Sequence, residues 1–349
     1  MTSDARTQAA LLLTVWLKKT EQAEHRPLSA LEWSRLESWL GVRGMSPADL
    51  LDCGAPSDVL GGFQDRTVTP DRVTHLLGRA AALGLALDKW ERAGLWIASR
   101  SGDGYPGCLR KRLGDGAPPI LFGCGEKRLL GQGGIAVVGA RDADADDLEF
   151  TGRLGGEIAG QGYSVVSGGA RGVDEAAMLG GLGKEGTVVG ILSDSLLRAS
   201  TSAKYHDSIV NRNLALASPF NPEAGFDVGN AMARNKLIYC LSDAAVVISA
   251  GMEKGGTWNG AVENLRQGWV PLFVKKDTGQ RPGNGALVAK GAHWLPDGPV
   301  NVKTLIRKTG ESPQAPPAQD YFDFSAVDSV AQAPMRVRET PPGAEGDAV

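Results

Sequence analysis

The sequence predicts an α/β fold in which a small all-helical domain precedes a doubly wound, mostly parallel sheet. Three observations carry that expectation. Between residues 130 and 275, short unbroken apolar runs rich in valine and isoleucine alternate with helical stretches. That is the pattern of parallel strands covered on both faces by crossover helices. In the first 95 residues the apolar positions recur instead at helical spacing. Glycine, 47 of 349 residues and close to twice its usual share of about 7%, gathers directly after the apolar runs and forms neither a linker tract nor a triplet repeat.

Leu11, Leu12, Val15 and Trp16, then Leu31, Leu36, Trp39 and Leu40, then Val73, Leu76, Leu77 and Ala80 form apolar stripes broken by Pro27, Gly41, Gly44, Pro47 and Pro70. Four to six short helices over residues 1–95 are expected. Ser29 with Glu32 three residues on is a capping box, and Trp16, Trp33 and Trp39 are expected in the core of the bundle. Beyond it, runs at 135–138, 164–166, 187–192, 244–248 and 270–274 predict strands, and stretches 147–161, 173–182, 235–241 and 257–267 predict the helices between them. Residues 96–310 thus read as a Rossmann-like domain, in which ligands bind beyond the carboxyl ends of the strands. Residues 311–349, proline-rich and acidic, read as a disordered tail with one aromatic patch, Tyr321-Phe322-Asp323-Phe324.

Composition excludes several classes. No apolar run approaches the ~18 residues of a membrane span, and the opening residues lack the charged-then-apolar shape of a signal peptide. Cys53, Cys108, Cys124 and Cys240 show no CxxC spacing, so a cytoplasmic chain with free thiols is expected. His25, His75, His206 and His293 are too scattered for a metal cluster, and neither metal nor cofactor is expected. The formal net charge of −3 is unevenly spread: residues 1–100 carry 12 basic and 12 acidic side chains, 101–310 carry 23 and 21, and 311–349 carry 2 and 7. A nearly neutral core can hold a polyanion only where its cations are focused.

Such a focus is visible after the strands. Gly139-Ala140-Arg141 follows the first run, Ser167-Gly168-Gly169-Ala170-Arg171-Gly172-Val173-Asp174 the second, and Ser249-Ala250-Gly251 leading to Gly255-Gly256-Thr257 the fourth. In each turn the missing Cβ atoms let backbone N–H groups approach a ligand, and the next helix adds its N-terminal dipole. Arg141 and Arg171 add planar forks suited to phosphate. Neither G-x-G-x-x-G after the first run nor G-x-x-x-x-G-K-[ST] occurs, so the dinucleotide and nucleoside-triphosphate loops are both missing.

These motifs resemble the DNA-processing protein A (DprA, also called Smf) family. The likeness starts at Gly104-Tyr105-Pro106 and Pro118-Pro119-Ile120-Leu121-Phe122. It continues through Val137-Val138-Gly139-Ala140-Arg141, the Ser167–Ala177 element, Ala233-Arg234-Asn235-Lys236-Leu237-Ile238, and Gly256-Thr257-Trp258-Asn259-Gly260-Ala261, over roughly residues 90–300. Met178 stands where the family usually has His, and the family's common C-terminal winged helix is not recognised. The resemblance implies an extended Rossmann core behind a sterile-alpha-motif-like helical domain. It further implies a homodimer that binds single-stranded DNA, loads the RecA recombinase in recombination and transformation, and catalyses no reaction. By position it implies that Gly139 and Arg141 grip a phosphate, that Ser167, Gly168, Gly169, Arg171 and Gly172 present a loop of amides, and that Arg234, Asn235 and Lys236 line the pocket with Gly256 and Thr257. Lys204 is a further phosphate candidate, and Tyr205, Phe220 and Phe226 lie in segments suited to stacking bases.

The alternatives are a nucleotide-binding sensor, working in phage defence, and a phosphoribohydrolase-like enzyme of the same superfamily. The latter carries a catalytic Glu three residues after the Thr of its glycine turn. Here Glu263 comes six residues after Thr257, almost two helical turns from the anion loop.

Overall fold

Six helices precede the first strand of the computed structural model, whose described residues are 4–17, 25–276 and 282–307. The proline-rich tail and its aromatic patch lie outside them. The helices are α1 (Ala5–Thr14), α2 (Ala30–Val42), α3 (Asp49–Asp52), α4 (Pro56–Val59), α5 (Pro70–Leu77) and α6 (Ala80–Arg92). Their ends follow from local chemistry. The Asp4 carboxylate accepts from Thr7 N–H at 2.7 Å, and α4 and α5 both open on proline, whose missing N–H is no loss there. The expected capping box is present: Ser29 Oγ accepts from Glu32 N–H at 3.3 Å while the Glu32 carboxylate accepts from Ser29 N–H at 2.8 Å.

Glu32 has a second task. It faces the buried guanidinium of Arg72, which donates to both Glu32 oxygens and to the carbonyls of Arg26, Pro27 and Thr67. Burial alone would raise the Glu32 pKa; the Arg72 fork and the Ser29 N–H outweigh it and hold the carboxyl at about 2. Trp33 is buried and Trp39 half-buried, as core residues should be. Trp16 is not: it is 42% exposed. The helix stops at Thr14, with Val15 extended, so Trp16 leaves the buried stripe that the periodicity assigned to it.

Among the described residues nine strands form one sheet, β1 (Trp96–Ser99), β2 (Ile120–Gly125), β3 (Ile135–Val138), β4 (Val165–Ser167), β5 (Val188–Ile191), β6 (Leu214–Ser218), β7 (Ala244–Val247), β8 (Leu272–Val274) and β9 (His293–Trp294). Their order is β1-β2-β6-β5-β4-β3-β7-β8-β9. From β6 to β9 all neighbours are parallel; β1 and β2 add an antiparallel edge. All five predicted strands are present. The others had weaker signals: β6 reads Leu-Ala-Leu-Ala-Ser, without one β-branched residue.

Alternate strand residues enter two cores, as a sheet covered on both faces requires. Ile135, Val137 and Val246 face α1–α6 together with α8 (Ala145–Gly160), α9 (Val173–Leu182), α10 (Leu196–Ser200), α11 (Ala203–Val210) and α15 (Val302–Arg307). Ala136, Val138 and Val247 face α7 (Gly107–Leu113), α12 (Val228–Cys240), α13 (Gly255–Gln267) and α14 (Pro282–Ala289). No helix among the described residues is long and apolar enough to cross a membrane.

Candidate anion-binding crevice

From β3 the chain steps outward through β4, β5 and β6, then returns to the other side of β3 as β7. The order therefore reverses between β3 and β7, and loops that diverge at such a switch point leave a crevice beyond the carboxyl ends. The three glycine turns singled out in the sequence border it. They are tied to one another. Thr257 Oγ1 donates to Gly139 O at 3.0 Å, Asn235 Nδ2 donates to Gly256 O at 3.0 Å, Val173 N–H donates to Ala140 O at 3.3 Å, and Ala140 N–H donates to Ser249 Oγ at 3.4 Å.

Two helix N-termini open here without a side-chain cap. Gly172 precedes α9 at φ +90°, a value that Cβ-bearing residues avoid, and a Cβ there would also lie 2.6 Å from Ala140 O. Lys254 precedes α13 and likewise supplies no capping oxygen. The neighbouring α8 and α12 instead carry an acceptor at that position: Asp144 caps α8 and Asp227 caps α12. At α13 the first N–H groups meet no capping side chain and, with the positive dipole end, can face an anion; at α9, where Val173 N–H and Glu175 N–H donate to the carbonyls of Ala140 and Ala170, the dipole end is the main attraction.

Beneath the loops lies a buried pair of charges. Arg234, 3% exposed, passes under Gly168 and donates from Nη1 to Ile191 O; its Nε has no hydrogen-bond partner among the described residues. Asp174 lies beside it and accepts from the N–H groups of Ala170 and Gly139. Burial raises the Asp174 pKa, opposed by Arg234, by those two N–H groups and by Arg141; burial likewise lowers that of Arg234. The pair joins the ends of β3, β4 and β5. The charged partner of Asp174 is thus Arg234 of α12, which lies far from it in the sequence.

The candidate residues thus divide by placement. Arg141 and Arg171 are exposed at the mouth, and the Arg141 guanidinium carbon sits 4.8 Å over the ring of Phe226, itself 56% exposed. Gly139, Gly168, Gly169, Gly172 and Gly256 form the walls. Ser167 is fully buried and donates its hydroxyl to Val137 O at 2.6 Å, so its side chain braces the loop. Asn235 and Thr257 join loops, as above. Lys204 is on α11 and pairs with Glu175 of α9. Lys236, two positions after Arg234, turns to the opposite side of α12 toward Glu263 of α13; burial lowers the lysine's pKa and raises the glutamate's, each opposed by the other. Tyr205 is buried and Phe220 half-buried, which leaves Phe226 as the exposed aromatic of the three. Lys254, exposed at the foot of α13, was not among the candidates. A cation in the third glycine turn was the signal for it, the same signal that marked Arg141.

Comparison with known proteins gives a consistent answer. Residues 96–306, more than half of the chain, match the family model of DNA recombination-mediator protein A. Among curated proteins, the chain is 29% identical over 161 residues to the DNA processing protein DprA of Bacillus subtilis, covering 43% of this chain and 51% of that one. It is 30% identical over 209 residues to protein Smf of Escherichia coli, covering 53% and 54%. The chain spans about half the length of these relatives. Among solved structures, DprA of Streptococcus pneumoniae shares the fold at a TM-score of 0.60 and 19% identity, over 77% of this chain and 95% of that one. DprA of Helicobacter pylori, described for its mode of binding single-stranded DNA, matches at a TM-score of 0.50 and 25% identity, over 62% and 96%. The crevice loops fall within the matched span, and the chain belongs to the DNA recombination-mediator protein A family.

Proposed function

We propose that the crevice binds single-stranded DNA, with a phosphate at Arg141 and the uncapped ends of α9 and α13, and an unpaired base against the exposed Phe226 ring. One observation carries this reading: a guanidinium stacked on an exposed aromatic at the glycine-lined switch point. A duplex keeps its bases inside and could use only the phosphate half of that pair. The relative from Helicobacter pylori, described as binding single-stranded DNA, supports it. Arg234 and Asp174 hold the loops in place from beneath, and the protein acts by binding, without catalysing a reaction.

The wider role follows the family. The protein handles incoming or foreign DNA in the cytoplasm as a homodimer and helps load RecA recombinase onto the bound strand for recombination and transformation.

Oligo-dT should bind more tightly than duplex of equal length. Affinity should fall as salt rises, and Arg141→Ala should weaken binding and make the salt slope shallower by about 0.7. Equal affinity for duplex, or an unchanged slope in the variant, refutes the reading. Co-sedimentation with RecA on oligo-dT and the mass of the free protein test the two assemblies.

A further inference from the structure

Past β7, on the same carboxyl edge of the sheet, a cavity of about 350 Å³ opens between α8 and the segments that follow β8 and β9. Lys275 and Lys276 reach it directly from the end of β8, and Arg153 reaches it from α8. We propose that this cavity is a second phosphate subsite, which takes the stretch of single-stranded DNA that leaves the crevice. The inference rests on the reading of the crevice given above.

Three features point to it. The first is order among the cations. The Phe150 ring lies 4.8 Å from Lys275 Nζ and 5.4 Å from the Arg153 guanidinium carbon, so one aromatic holds two positive groups at the cavity wall. Phe150 is half-buried and carries two cations, where the exposed Phe226 carries one, so this site is suited to a phosphate more than to a stacked base.

The second is that the acidic partners at the rim yield easily. Lys276 pairs with Asp297 at 2.6 Å, with both side chains at least half exposed, and such pairs exchange partners at little cost. Arg153 is 3.9 Å from Glu157, and the Glu157 carboxylate is already engaged by Val300 N–H at 3.0 Å. Lys275 differs. It is 2.5 Å from the mostly buried Asp147 in the first turn of α8, where it serves to anchor the wall.

The third is position. β8 is two strands from β3, a lateral distance of about 10 Å. That is the rise of roughly three stacked nucleotides. Arg153 lies eight residues, about 12 Å, along α8 from its first residue, so the strand would cross β7 and then follow that helix into the cavity.

The test is oligonucleotide length. Arg153 and Lys276 are exposed, so the double variant Arg153→Ala/Lys276→Ala keeps the packed wall of Phe150, Lys275 and Asp147. Oligo-dT of about 4 nucleotides fills the crevice alone, whereas oligo-dT of about 12 reaches both sites, lengths within the span seen for single-strand binders. The double variant should bind the short oligonucleotide as the parent does. It should bind the long one roughly 3- to 10-fold more weakly, with a salt slope shallower by about 1.4 for two lost phosphate contacts. Unchanged affinity for the long oligonucleotide overturns the proposal, and so does an equal loss at both lengths. A parent that binds neither removes the crevice reading itself, a result distinct from either.

Discussion

Gly168 shows how tightly single atoms are placed under the crevice. A Cβ at this position would overlap both the Arg234 guanidinium and the Asp174 carboxylate. Gly168→Ala should therefore push Arg234 off Ile191 O and leave the buried carboxylate poorly compensated. The expected loss is about 1–3 kcal/mol of stability, read as a lower denaturant midpoint at unchanged slope, together with weaker binding of oligo-dT. A midpoint equal to the parent's would show that the loop has room to give. At this scale the sequence marked the right neighbourhoods and left the roles open. Arg141, Arg171 and Arg234 carry the same group beside similar motifs. One stacks in the open on Phe226, one is exposed, and one is a buried strut. Which arginine goes inside depends on the space left by Gly168 and on the carbonyl that β5 brings to it, and neither is local to α12.

Among elements, the tight crossing of α8 and α9 accounts for glycines that the ligand loops do not need. A Cβ at Gly180 would overlap the carbonyl of Gly152, and one at Gly155 would overlap the carbonyl of Ala177. This backbone-to-backbone approach fixes α9, and with it the uncapped N-terminus that faces the crevice. Gly180→Ala is expected to cost about 1–3 kcal/mol by overpacking. Gly160→Ala, at the exposed end of α8 with nothing within 4 Å of the added carbon, should be neutral or gain up to ~1 kcal/mol, because alanine restricts the unfolded chain. Thermal unfolding of the two variants separates them, and similar losses in both would remove the packing argument. The strands were legible wherever β-branched residues run together, and α9 is found on its predicted bounds. α12 is longer than its pattern: it starts at Val228, where Asp227 caps it, and its exposed first turns carry Val228 and Met232, which blurs the apolar stripe.

Across the whole molecule, the helices and the sheet share a core. Trp90 of α6 is fully buried, meets the Phe122 ring of β2 edge-on at 5.0 Å and donates from its indole N–H to Glu223 at 3.3 Å. Asn221, just past β6, donates to Trp16 O at 2.7 Å. Trp90→Ala should therefore cost about 3–5 kcal/mol and lower the melting of sheet and helices together, as one calorimetric transition. Two transitions, with only the first displaced, would show that the helices melt alone. The sequence by itself determined the α/β class, the strand-ending glycine turns with their arginines, the capping box of α2 and the family, because periodicity, capping and turn chemistry act over a few residues. Only the tertiary structure decided the strand order, and hence that the turns after β3 and β7 flank a switch point, that Arg234 pairs with Asp174, and that Lys236 faces Glu263. Those outcomes depend on which distant segments pair and on how much room their side chains leave, and no stretch of chain carries that information alone.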